Sequence, residues 1–207
     1  SAASLLATPA LSGPQGGVVR AGAVGIHSTG AHTRVTQGTE RAIIDWRSFD
    51  LNAGESVRFE QPSSRSATLN RVGRGPASQI NGRIDANGQV FIVNPAGVIF
   101  GRSASVNVSG LLATSANLDD RDFLQGRLDF SQPGQAGAEV RNQGRLSAAD
   151  GGFIALVAPQ VRNDGLIGAR LGRVALASGE RFTLDLSGDR LVQFALSDQQ
   201  TQRLQNH

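Results

Sequence analysis

Asn87-Gly-Gln-Val-Phe-Ile-Val-Asn-Pro-Ala-Gly-Val-Ile-Phe-Gly101 is the stretch whose reading decides the fold. One apolar run, Val90 to Val93, enters Asn94-Pro95, and a second, Val98 to Phe100, leaves Gly97. Proline fixes its own φ and pushes the residue before it towards extended geometry, so Asn-Pro opens a turn. Gly97 can take a positive φ at no steric cost. Two apolar strands joined by so short a link read as a buried sheet corner.

Alternation dominates on either side of the corner. Val57 and Phe59 alternate with Ser56, Arg58 and Glu60, and Val106 and Val108 with Ser105, Asn107 and Ser109. Leu128 and Phe130 repeat the pattern, as do Phe182, Leu184 and Leu186 around Thr183 and Asp185. Period two marks half-buried strands with one face to a core. Composition agrees, because 26 glycines, 7 prolines and a single tryptophan suit short strands and turns better than helices. A repeat also runs through the chain. Asn142-Gln-Gly-Arg-Leu146 returns as Asn163-Asp-Gly-Leu-Ile167, a shift of 21 residues, and Asn81-Gly-Arg-Ile84 is a similar opening. Glycine follows each at Gly88, Gly151 and Gly172, and an apolar strand comes next. A period of about 20–25 residues with turn residues in fixed phase marks a solenoid. The Leu-x-x-Leu-x-Leu phase of leucine-rich repeats is missing. Parallel coils stacked ~4.8 Å apart fit, with apolar columns inside and asparagines stacked at the turns.

The corner is followed and preceded by further motifs in a definite order. Upstream stand Val35-Thr-Gln-Gly-Thr-Glu-Arg-Ala-Ile-Ile-Asp-Trp-Arg-Ser-Phe49, Ala53-Gly-Glu-Ser-Val-Arg-Phe-Glu-Gln-Pro62 and Ala67-Thr-Leu-Asn-Arg-Val72. Ile80-Asn-Gly-Arg-Ile-Asp-Ala-Asn-Gly-Gln-Val90 then leads into the Asn-Pro turn. Together these resemble the filamentous-haemagglutinin-like N-terminal secretion domain of two-partner-secretion exoproteins, of the adhesin or haemagglutinin type. The turn matches that family's Asn-Pro-Asn-Gly signature except that Ala96 stands at the third position. A second family motif, Asn-Pro-Asn-Leu, is absent; Ala67 to Val72 lies near its expected place.

The resemblance implies a right-handed parallel β-helix with an N-terminal cap and extra-helical β-hairpins, all-β throughout. Residues 1–207 are expected to form a single secretion domain. Within it, 1–25 form a cap, 26–118 the motif-bearing coils, 119–138 an extra-helical hairpin, 139–196 further coils and 197–207 a polar tail at a frayed or cut end. The resemblance further implies export through the periplasm of a Gram-negative bacterium to its surface or the medium. It implies recognition by the periplasmic POTRA domains of an outer-membrane β-barrel transporter, and folding outside the cell that templates a longer fibre. The rival classes are an adhesive ligand-binding module and a carbohydrate-active β-helix enzyme.

Both the local chemistry and the resemblance single out candidate recognition residues. Asn94, Pro95 and Gly97 are expected to set the corner. Asn70 and Arg71 belong to the Ala67–Val72 segment. Ile43, Ile44, Trp46 and Phe49 form an apolar cluster, either core or cap packing or a docking patch, in which Ile43, Trp46 and Phe49 are the candidate anchors, with Arg41, Arg47 and Arg71 for steering. β-Augmentation onto a strand edge is the economical binding mode.

Other chemistries find little support in the sequence. The formal net charge is +3 over 207 residues. All 20 basic residues are arginine and are scattered singly, so nucleic-acid binding, which needs a clustered basic face, is not expected. The absence of cysteine excludes disulfides, thiolate metal sites and thiol nucleophiles, and suits a chain crossing the periplasm before folding. No apolar run approaches the about 18 residues of a membrane-spanning helix. Ser1 to Ala7 is too short for a signal peptide. His27, His32 and His207 lack metal-ligand spacing, and no Gly-x-Ser-x-Gly elbow occurs. Asp119, Asp120 and Asp122 resemble half a calcium loop but lack its glycine and closing glutamate. Asn107-Val-Ser109 is a glycosylation sequon on an outward-facing position. A monomer without enzyme activity, metal or cofactor is the expected state.

Overall fold

The computed structural model describes residues 13–194. Residues 1–12 of the expected cap and the tail from 197 lie outside that range. The described chain is a parallel β-solenoid of about seven turns, built as a three-sided prism.

The first side stacks β4 (Arg41–Trp46), β6 (Ala67–Val72), β9 (Gln89–Val93), the second half of β11 (Ser105–Thr114), the second half of β14 (Arg145–Ala158) and β17 (Arg173–Ser178). The second stacks β3 (His32–Gln37), β5 (Ser56–Glu60), β8 (Arg83–Ala86), the first halves of β11 and β14, and β16 (Leu166–Ala169). The third carries β7 (Ser78–Ile80), β10 (Gly97–Phe100), β13 (Glu139–Asn142) and β15 (Gln160–Asn163). The repeat read from the sequence is the coil period: Asn142 pairs with Asn163 and Leu146 with Ile167. The expected asparagine stack is present there, with Asn142 Nδ2 donating to Asn163 Oδ1 at 2.8 Å. One detail shifts. Pairing of Phe153 with Arg173 sets Gly152, not Gly151, over Gly172.

The two kinds of strand pattern have a physical cause. Second-side strands pack inwards on the prism core and face solvent outwards, so Val57, Phe59, Ile84, Val106 and Leu146 are buried between polar neighbours. First-side strands are covered on both surfaces and read as continuous apolar runs. Ile44, Ile92, Leu111, Ile154 and Leu156 face the prism interior. Ile43, Leu69, Phe91, Leu112 and Phe153 face outwards into a second core.

The cover over that second core corrects the domain layout. The segment expected to be a hairpin, 119–138, closes by an antiparallel bridge between Asn117 and Gln132 and carries a short helix, α1 (Asp120–Leu124), capped by the Asp119 side chain. Its strand β12 (Asp129–Phe130) pairs with β18 (Phe182–Leu184), antiparallel, and β18 pairs with β19 (Val192–Gln193). Phe123, Leu128, Phe130, Phe182, Leu184 and Leu191 close over Phe91 and Phe153. The Phe130 and Phe182 rings stack at 4.7 Å, and Phe91 meets Phe123 edge-on at 5.8 Å. Residues 182–193 are therefore an outlying antiparallel sheet rather than another coil. The inward reading of Phe182 and Leu184 is right, but their core is the second one, and Leu186 is only half-buried.

Asp185 also differs from expectation. It is no ordinary surface residue, because it accepts the Ser187 and Gly188 N–H groups and the Gln193 amide. Those bonds, Gly188's first, hold its carboxyl below the usual carboxylate range. Leu184→Ala should cost ~2–5 kcal/mol, as large-to-small core changes do. In denaturant melts Asp185→Ala should also lower the midpoint measurably, where a freely solvated aspartate would not. An unchanged midpoint for Leu184→Ala would place β18 outside the core.

The prism ends are unlike. At the N-terminal end β1 (Val18–Ala21) runs antiparallel along β4, and β2 (Val24–Thr29) antiparallel along β3. These strands break the parallel register and shield two edges. At the other end β15, β16 and β17 each have one sheet neighbour among the described residues.

Candidate functional site

The corner joins the first side to the third. Asn94 leaves β9 with its N–H donating to Thr114 O at 3.1 Å, and β10 begins three residues later. Gly97 N–H closes the turn on Asn94 O at 2.8 Å. The Asn94 side chain is buried and fully used. Its Oδ1 accepts the Ala96 N–H at 3.0 Å, and its Nδ2 donates to Pro76 O and Ser78 Oγ, each at 3.0 Å. The amide thus fastens its own turn and the preceding coil on the third side. Gly97 takes φ +111°, and a methyl group there would overlap the Glu139 carbonyl oxygen on the next coil. Pro95 O accepts from Gln135 N at 2.8 Å, so the corner also anchors the outlying segment. Ala96 contributes only its backbone N–H to this set, which explains why the third position tolerates alanine.

Asn94→Ala removes three hydrogen bonds and strands a buried serine hydroxyl. A loss of ~1–3 kcal/mol is expected in urea melts, the range for leaving buried polar groups unpaired. A variant within experimental error of the parent would mean that Pro95 and Gly97 alone hold the corner.

The second group of candidates lies on β4 and β6. Trp46 is 3% exposed and Ile43 and Phe49 are 0% exposed, so the folded surface offers no docking patch at these residues. Trp46 meets the Phe49 ring edge-on at 5.7 Å, and its Nε1 donates to Asn70 Oδ1 at 3.0 Å. The packing reading of this cluster therefore describes the folded state. The reason is local: Trp46 sits where β4 turns towards the third side, and its indole fills the prism corner above Phe49 and Leu51.

Asn70 is fully buried, with Nδ2 reaching Thr68 O and Phe91 O at 3.3 and 3.4 Å. Arg71, next to it, points out and bridges Asp45 at 2.8 Å and Asp120 at 2.7 Å. Burial works against its charge, but the bonds to Asp120 and Asp45 outweigh this and raise its pKa. Arg20 of β1 closes on the same Asp45 at 2.6 Å. This network ties the cap and α1 to the first side, so Arg71 is engaged rather than free to steer a partner. Arg41 packs over Phe123, and of the three steering candidates only Arg47 is exposed.

The acidic run is likewise spoken for. Asp119 caps α1, Asp120 pairs with Arg71, and Asp122 pairs with Arg127. His27 and His32 are exposed on the β2–β3 hairpin, and Asn107 is exposed on the second side as alternation required.

A buried Asn-Pro-x-Gly corner on a capped parallel solenoid narrows the choice of family, and residues 10–207 match the family described as TPS secretion domain. The chain belongs to that family. A heme/hemopexin-binding protein of Haemophilus influenzae is 37% identical over 200 residues, which is 92% of this chain and 22% of that protein. A second H. influenzae heme/hemopexin-binding protein is 48% identical over 85 residues, 41% of this chain and 9% of that one. The chain thus spans about a fifth or less of these relatives' length. The crystal structure of the HMW1 secretion domain from H. influenzae superposes with a TM-score of 0.77 at 29% identity, over 87% of this chain and 48% of that one. The β-solenoid and its secretion-targeting role in a two-partner system are shared with this family. Such a system pairs the exported protein with an outer-membrane transporter.

Among the features of this secretion domain, the missed one is the second core. Its signal was present in the continuous apolar runs of β4, β9, β11 and β14, which demand cover on both surfaces.

Proposed function

We propose that this secretion domain acts in two states, first as an extended chain read by the transporter and then as a folded template for the coils downstream of it. In the first state the POTRA domains of the barrel partner take up the unfolded N-terminal region in the periplasm, with Ile43, Trp46 and Phe49 as apolar anchors. Burial of all three in the native fold supports this order, since folding withdraws the anchors and releases the chain outwards. Strand addition supplies the backbone part of the contact. The domain works as a monomer, passes through the barrel and folds at the cell surface or in the medium. It binds and templates, and catalyses nothing.

The observation that carries the second state is the asymmetry of the prism. The N-terminal end is closed by antiparallel strands, whereas the last coil presents its interior columns outwards. Val174 and Leu176 stack on the fully buried Ile154 and Leu156, yet are 49% and 46% exposed. Val161 and Ile167 continue the other two columns and are half-buried. Edges unpaired among the described residues and exposed apolar columns favour addition of one more coil, and nearest-neighbour stacking lets growth proceed in one direction.

The experiment is a pair of substitutions at that end. Val174→Asp with Leu176→Asp should leave the melting midpoint of the isolated domain nearly unchanged, because both side chains already meet water. In a longer protein carrying downstream coils, the same pair should abolish protease resistance of those coils. Downstream coils that fold normally behind the two aspartates would overturn the templating role.

A further inference from the structure

The outlying sheet does not lie flat on the first side. Between them opens a groove of about 980 Å³, lined by four arginines, Arg41, Arg65, Arg127 and Arg173. Among the described residues only Arg127 of the four has an ion-pair partner, Asp122. Arg173 gives its hydrogen bonds to the backbone carbonyls of Asp185, Leu186 and Gly188, which carry no formal charge. Arg65 is exposed, and its guanidinium makes no hydrogen bond to another described residue. Arg41 is the most demanding case. Its guanidinium lies 5.3 Å from the Phe123 ring centre, and its Nη1 is buried with no hydrogen-bond partner.

The carboxylates of the groove compensate only in part. Asp150 is taken by Arg170, and Asp185, held by the Ser187 and Gly188 amides and Gln193, also faces the charge of Arg173, which leaves Arg41 and Arg65 without a carboxylate of the groove. Asp129 accepts the Thr183 hydroxyl at 3.4 Å. Burial lowers the Arg41 pKa, and Glu40 offsets this only in part. A desolvated guanidinium without an oxyanion is costly, and its planar fork matches carboxylate or phosphate oxygens in pairs.

We propose that this groove is a binding site for a small oxyanion, a phosphate or a carboxylate, with Arg41 as its main ligand and Arg65 and Arg173 as supporting cations. The aromatic ring beneath Arg41 fixes the guanidinium, and Ser64 lines the same cavity. The site is assembled only when the outlying sheet docks, so occupancy ties that sheet to the solenoid.

Titration calorimetry and thermal melts of the folded chain test this, with inorganic phosphate and citrate as probes against sodium chloride at matched ionic strength. Saturable binding of phosphate, of citrate or of both, with a matching rise in the midpoint, is expected, and the responding probe identifies the anion class. Arg41→Gln should weaken binding at least tenfold. Arg65→Gln, at an exposed guanidinium without a hydrogen bond to another described residue, should keep the anion-free midpoint and weaken binding several-fold. The second variant decides the matter if the first fails to fold. A midpoint rise reproduced by chloride, or equal binding by the parent and Arg65→Gln, would overturn the site.

Discussion

Gly97→Ala should destabilise the domain severely. Two independent costs coincide at this residue. The backbone is held at φ +111°, a region that L side chains rarely adopt, which alone costs on the order of 1–3 kcal/mol. The added methyl would also overlap the Glu139 carbonyl oxygen, and that oxygen belongs to β13, paired in register with β10. The strand cannot retreat without breaking the ladder, so overpacking adds about 1–3 kcal/mol more. Their sum, ~2–6 kcal/mol, is a large share of the ~5–15 kcal/mol by which a typical domain is stable. Circular dichroism and urea melts check it. A Gly97→Ala protein with the parent's midpoint would show that the corner can relax, and that glycine there is not a steric necessity.

Trp46→Ala should be at least as severe, for a different reason. Removing a buried indole leaves a cavity beside Phe49, at a cost of ~3–5 kcal/mol. It also strands Asn70 Oδ1 inside the fold, adding ~1–3 kcal/mol. Trp46→Phe separates the two terms by keeping most of the packing while losing the hydrogen bond. In a double-mutant cycle with Asn70→Ala, a coupling between the two residues near zero would mean that the indole N–H contributes nothing net. The same variant bears on transporter recognition. If the anchors are read in the extended chain, Gly97→Ala protein held unfolded should bind isolated POTRA domains more tightly than native protein. Adding Trp46→Ala to it should then weaken that binding. Equal binding of folded and unfolded chains would remove the anchors from the recognition step.

The candidate site was unevenly legible. Asn94, Pro95 and Gly97 could be assigned from local chemistry, because a turn is made by the residues within it. Asn94's bonds to Pro76 and Ser78 could not, since they cross to the preceding coil. Arg71 reads as a free charge in the sequence, yet its two carboxylate partners lie 26 and 49 residues away in the chain. Pairings over such distances arise from coil stacking and leave no mark on neighbouring residues.

By itself the sequence determined the strands, the coil period and the corner. Alternation, the 21-residue return of Asn142 to Leu146 and the Asn-Pro-x-Gly turn are short-range patterns, each with a local physical cause. Only the tertiary structure decided which core each apolar face enters. Apolar periodicity states that a face must be covered but not by which segment. The partner of Phe130 proved to be Phe182, brought over Phe91 and Phe153 by an antiparallel pairing outside the solenoid. The same holds for Trp46, an aromatic residue that the sequence leaves open to core packing or to a docking surface. Its burial depends on Phe49, Leu51 and Asn70 arriving from later in the chain, and packing of that kind is settled by the assembled prism.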